Sequence, residues 1–168
     1  MKNLYILLIY TFLIIPTAIK AQVNYKIHSL FVYKFTQYIE WPAGSNSGDF
    51  TIGVVGSSPI MAELEQIASS RKVGSQAIVV KKISANDAVK CQMVFVTESS
   101  NGQLSDILSK VKGKPILLVS ETDGAGKKGA GINFIIVDDK MKFELNKNAI
   151  TDQGLKVSGD LLKLAILL

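Results

Sequence analysis

Apolar and polar positions change rhythm several times along the 168-residue chain. From Tyr25 to Pro42 (YKIHSLFVYKFTQYIEWP) the spacing is helical. Ile27, Leu30, Phe31, Val32, Phe35, Tyr38 and Ile39 spread over a wide arc at 3.6 residues per turn. That arc exceeds the roughly 100° stripe of an ordinary surface helix. Tyr33 falls outside it, beside Lys26, Gln37 and Glu40. A helix this apolar sits deep in its own domain or uses part of its surface to meet another chain. Glu40-Trp41-Pro42 is expected to stop it, because the residue before a proline is pushed out of the α region.

The middle of the chain alternates between two periods. Phe50–Val55 is a nearly continuous apolar run of strand length, suited to a strand buried on both faces. Ser58 and Pro59 read as the start of a helix carrying Ile60, Leu64 and Ile67. Ala77–Ile83, Met93–Val96 and Ile116–Val119 read as further strands, with a helix through Leu104, Ile107, Leu108 and Val111. This alternation predicts parallel strands joined by right-handed crossovers. The end differs: Ile132–Val137, an Asp138-Asp139-Lys140 turn and Met141–Leu145 predict an antiparallel hairpin. A short helix over 148–153 and an apolar last helix over 159–168 complete the pattern. The expected fold is one three-layer α/β domain with a mostly parallel sheet, helices on both faces and a C-terminal hairpin.

Residues 1–21 read as a secretory leader. Lys2 precedes a Leu4–Ile15 apolar run, Pro16 breaks it, and Ala21 precedes the expected cut before Gln22. The run is shorter than the roughly 20 residues that span a bilayer. Residues 22–168 then form the exported domain. The net charge of the whole chain is +5, and losing Lys2 and Lys20 leaves a mildly basic surface, not a nucleic-acid footprint. Cys91, the only cysteine, excludes an internal disulfide, and its apolar neighbours predict burial.

The chemistry-bearing motifs are sparse. DGAGKKGAG resembles a phosphate loop, but Glu121 and Lys128 occupy the places where a P-loop needs glycine and a hydroxyl. One histidine, His28, rules out a metal site made of histidines, and there is no nucleophile elbow. No catalytic set, metal or cofactor is expected. Glu98 and Glu121 follow the third and fourth strands and are placed to face a crevice. Ser57 and Ser58 stand at a helix start that suits an anion.

Several segments together resemble the YfiR family of exported bacterial proteins. They are Phe31–Pro42 with its Glu-Trp-Pro ending, Phe50–Gly56 with Pro59, and Cys91–Val96. Gly131–Phe134, Phe143–Asn146, Gly154–Ser158 and Leu161–Ala165 follow in order. The resemblance implies a periplasmic α/β domain that forms homodimers. It also implies a regulator that restrains an inner-membrane diguanylate cyclase, linking envelope conditions to cyclic-di-GMP. On this reading Tyr33, Leu30, Val32, Ile39 and Trp41 meet a membrane sensor protein. The second reading is a small-ligand binder, its effector held in a crevice by Ser57, Ser58, Ser120 and Lys127.

Overall fold

The computed structural model describes residues 24–168; the expected leader lies outside them. At its centre is β2 (Phe50–Val55), whose apolar run serves both faces of a sheet. Phe50, Ile52 and Val54 face one core and Val55 the other. The same alternation recurs in β5 (Met93–Val96) and β6 (Leu117–Ser120). Met93, Phe95, Leu117 and Val119 belong to the first core, Val94, Val96 and Leu118 to the second. A period of two is why these runs form strands rather than helices.

β4 (Gln76–Ile83) pairs parallel to β2 on one side, and β5, β6 and β7 (Ile132–Val137) follow on the other. The Asp138-Asp139 turn, with both residues at positive φ, then reverses the chain into antiparallel β8 (Lys140–Leu145). Its twist matches that of the paired strands. The short β3 (Lys72–Val73) closes the other edge against β4. The expected mostly parallel sheet and C-terminal hairpin are both present.

Helices cover both faces. α1 (Tyr25–Tyr38) and α2 (Ile60–Ala68) lie over the first core, which Ile150 of α5 (Lys147–Asp152) and Leu161 of α6 (Gly159–Leu164) also help to fill. α3 (Leu104–Val111), a 3₁₀ turn over Ala85–Lys90 and the one-turn α4 (Ala125–Lys128) cover the second. Cys91 is buried there, as expected.

Two elements depart from expectation. α1 ends at Tyr38, ahead of the Trp-Pro pair, because Ile39–Glu40 (β1) is drawn out to pair antiparallel with Lys156–Val157 (β9). The last helix ends at Leu164, and Ile166–Leu167 (β10) becomes an edge strand parallel to β8. The unpaired backbone of β8 offers Ile166 and Leu167 hydrogen bonds in a ladder, where a lone apolar helix would have only solvent around it. Among the described residues no helix is long and apolar enough to cross a membrane.

Candidate functional site

α1 carries the chain's densest aromatic chemistry, and its burial defines what it can offer. His28, Ser29, Val32, Phe35 and Thr36 face the sheet. Phe35 packs edge-on against Phe143 at 5.3 Å and tilted against Phe134 at 5.8 Å. Val32 and Phe35 have no exposed surface, and Ile39 and Trp41 are also buried. Three of the residues expected at a docking surface are therefore core. Val32 and Ile39 fill the space over the sheet. Trp41 packs edge-on against Phe50 at 5.0 Å and donates its Nε1–H to the Gln92 carbonyl at 3.2 Å. The indole pins the exit of α1 to the sheet.

Leu30 and Tyr33 point elsewhere. Leu30 is 49% exposed and Ile27 is 42% exposed, so part of the apolar arc faces outward. Both Leu30 and Tyr33 line a groove of about 330 Å³ between α1 and α2. Tyr33 Oη accepts from Gln37 Nε2 at 3.1 Å, and the Arg71 guanidinium lies 6.0 Å from its ring. Lys26, Lys34 and Arg71 outnumber Glu63 on the groove's walls, so its field is positive. Leu30 and Ile67 are the aliphatic part of its lining.

The crevice expected around Ser57 and Ser58 is closed. In a doubly wound sheet, ligands favour the carboxyl ends of adjacent strands whose connections leave to opposite faces. Here those strands are β2, which leads to α2, and β5, which leads to α3. Hydroxyls fill the gap between them. Ser57 N–H donates to Ser99 Oγ at 3.1 Å, Ser99 Oγ donates to the Ser57 carbonyl at 3.2 Å, and Thr97 Oγ1 lies 2.8 Å from Ser99 Oγ. Ser57 Oγ also accepts from Lys82, and Ser58 Oγ accepts from Ile60 N–H. Ser120 is fully buried and bonded to Thr122. Lys127 stands exposed on α4, a helix of the second face. Among the described residues no hydrogen bond joins these four to one another.

The open space lies further along the sheet. Beyond the ends of β5 and β6, above β7 and below the first turn of α1, is a cleft of about 270 Å³. His28 forms its back wall, stacked on Phe134 with ring centroids 4.4 Å apart and planes 11° apart. Tyr25 meets the imidazole edge-on at 5.7 Å. Glu98, Glu121 and Asp123 line the cleft beside Ile135 and Ile136. Glu98 N–H donates to Glu121 Oε1 at 3.4 Å, so the two glutamates that follow adjacent strands do come together. His28 Nδ1 stands 3.8 Å from Glu121 Oε2, too far for a hydrogen bond.

The family described as YfiR/HmsC-like matches residues 25–166, from the first residue of α1 into β10. The chain belongs to the YfiR/HmsC-like family. No curated protein matches it. The groove, the closed crevice and the His28 cleft all fall inside the span that this YfiR/HmsC-like chain shares with its family. Leu30 and Tyr33 share the α1–α2 groove, Glu98 and Glu121 share the His28 cleft as expected, and the inner edges of Ile39 and Trp41 border a third hollow with Phe50 and Gln76. In the sequence His28 stands only as a lone histidine. The available signal was its place one turn into a helix, with two carboxylates following neighbouring strands.

Proposed function

We propose that this chain is an exported, non-enzymatic regulator. It docks the periplasmic part of an inner-membrane signalling protein of the diguanylate cyclase type and restrains it. The observation that carries this reading is the α1–α2 groove, in which Leu30 and Tyr33 stand out from a helix whose opposite face is core. Aromatic anchors in partly desolvated pockets carry much of the energy in protein interfaces. The lysines and arginine around the groove favour a partner segment that pairs apolar residues with acidic ones. Membership of the YfiR/HmsC-like family supports the regulatory class. Restraint then follows as a population shift, the bound form holding the sensor inactive. Residues 1–21 act as the leader, and 22–168 as the regulatory domain, which also self-associates as a homodimer.

The test combines binding and output. Tyr33→Ala should weaken capture of the membrane partner at least tenfold and raise cellular cyclic-di-GMP, with a stability loss of only about 1 kcal/mol, since the half-buried ring touches the first core without filling it. A photo-crosslinker at Leu30 should capture the same membrane protein. Unchanged cyclic-di-GMP on deletion of the whole chain would overturn the reading. A Tyr33→Ala protein that loses stability but keeps its partner would move the interface off the groove.

A further inference from the structure

The His28 cleft holds an arrangement that the regulatory reading does not use. Its polar wall carries three carboxylates, Glu98, Glu121 and Asp123, and among the described residues no lysine or arginine lines it. At the back, the side chains of His28 and Glu121 are only 4% and 8% exposed. His28 Nδ1 and Glu121 Oε2 are both buried without a hydrogen-bond partner. Groups buried this way are normally satisfied, and an exception points to a missing partner. At 3.8 Å they fall short of a hydrogen bond to each other, and a small turn of either side chain toward the cleft that both line puts them within reach of one group seated there. A carboxylate only accepts, and a neutral imidazole accepts at one nitrogen. With the imidazole proton on Nε2, leaving Nδ1 as the acceptor, the seated group donates twice. The surrounding negative charge asks that it be a cation, and Tyr25 and the half-exposed Ile136 offer an apolar lip for what it is attached to.

We propose that this cleft is a binding site for a primary ammonium group carried on a small apolar body. The ammonium donates to Glu121 Oε2 and His28 Nδ1, and Glu98 and Asp123 supply the longer-range attraction. Two sources share this chemistry: a free organic amine, and a lysine side chain presented by a protein.

His28 is the only histidine, so its imidazole gives a single set of nitrogen and proton resonances in a chain freed of any purification tag. Benzylammonium is titrated into the full exported domain while those resonances are followed, with benzyl alcohol and benzoate as isosteric controls. Saturable shifts of the His28 signals are expected with benzylammonium, at least tenfold weaker with benzyl alcohol and absent with benzoate. Glu121→Gln, which keeps the shape and removes the charge, should weaken the ammonium at least tenfold while the melting curve stays cooperative. Nα-acetyl-lysine methylamide distinguishes the sources: tighter binding than benzylammonium assigns a presented lysine, weaker binding a free amine. Equal binding of ammonium and alcohol, unchanged binding in Glu121→Gln, or no response of His28 to any amine would overturn the proposal. Glu121→Gln lies outside the α1–α2 groove, so it should leave capture of the membrane partner intact.

Discussion

Gly56 sits where β2 gives way to the Ser57–Pro59 turn, at φ +99°, a conformation that side chains with a Cβ avoid. A Cβ built there would run into Thr97 Oγ1 and Ser100 Oγ and come within 2.8 Å of Ser99 Oγ. The glycine therefore lets the hydroxyl cluster close the gap between β2 and β5. Gly56→Ala combines backbone strain with overpacking, and should lower stability by about 2–4 kcal/mol in urea unfolding. Cys91 makes a quieter statement. Burial pushes its thiol above its usual pKa, against the opposing pull of Lys81. The folded state thus holds the thiol proton more tightly than the unfolded chain. Its stabilising effect is complete below the unfolded thiol pKa and is lost as pH rises through the folded one. Native Cys91 should react with iodoacetamide at pH 8 at least tenfold more slowly than in urea, and Cys91→Ala should flatten the alkaline fall in stability.

Among the elements, α1 teaches most about reading a sequence. Its buried positions, 28, 29, 32, 35 and 36, form an ordinary helical stripe. Hydrophobicity obscured that stripe because three of its members are polar. Ser29 Oγ donates to the Lys26 carbonyl at 2.9 Å and Thr36 Oγ1 to the Tyr33 carbonyl at 2.7 Å, so both hydroxyls enter the core already satisfied. Meanwhile Ile27 and Leu30 widened the apolar arc from the outside. The strands were easier: Phe50–Val55, Met93–Val96 and Ile132–Val137 have the limits their apolar runs indicate. A strand buried on both faces leaves a continuous signature. β1, β9 and β10 leave none, because two-residue strands exist only through their partners. The same holds for the His28 cleft, whose residues come from one helix, two loops and a strand.

For the whole molecule, the doubly wound order puts β2 and β5 at the point where crossovers change face. Alternation of strand and helix announced that architecture, but not that hydroxyls would plug it. Nor did it show that the open cleft would lie beyond β6. The β1–β9 ladder joins the two ends of this architecture: Ile39 pairs with Val157, Ser158 N–H donates to the Tyr38 carbonyl, and Lys156 meets Glu40 across 116 residues. That separation sets a clock. Contacts so distant along the chain form after local ones, since their loop-closure entropy must be overcome first. The sheet can assemble from β2 to β8, with Trp41 already seated on Phe50, while the β1–β9 ladder is still open. Val157→Ala, worth about 1 kcal/mol of lost packing, should therefore speed unfolding about fivefold in stopped-flow measurements and leave the folding rate nearly unchanged. A chain that emerges amino end first carries Ile39 and Glu40 long before Lys156 and Val157 exist to pair with them, so a partner that arrives during synthesis meets a strand edge the finished fold covers.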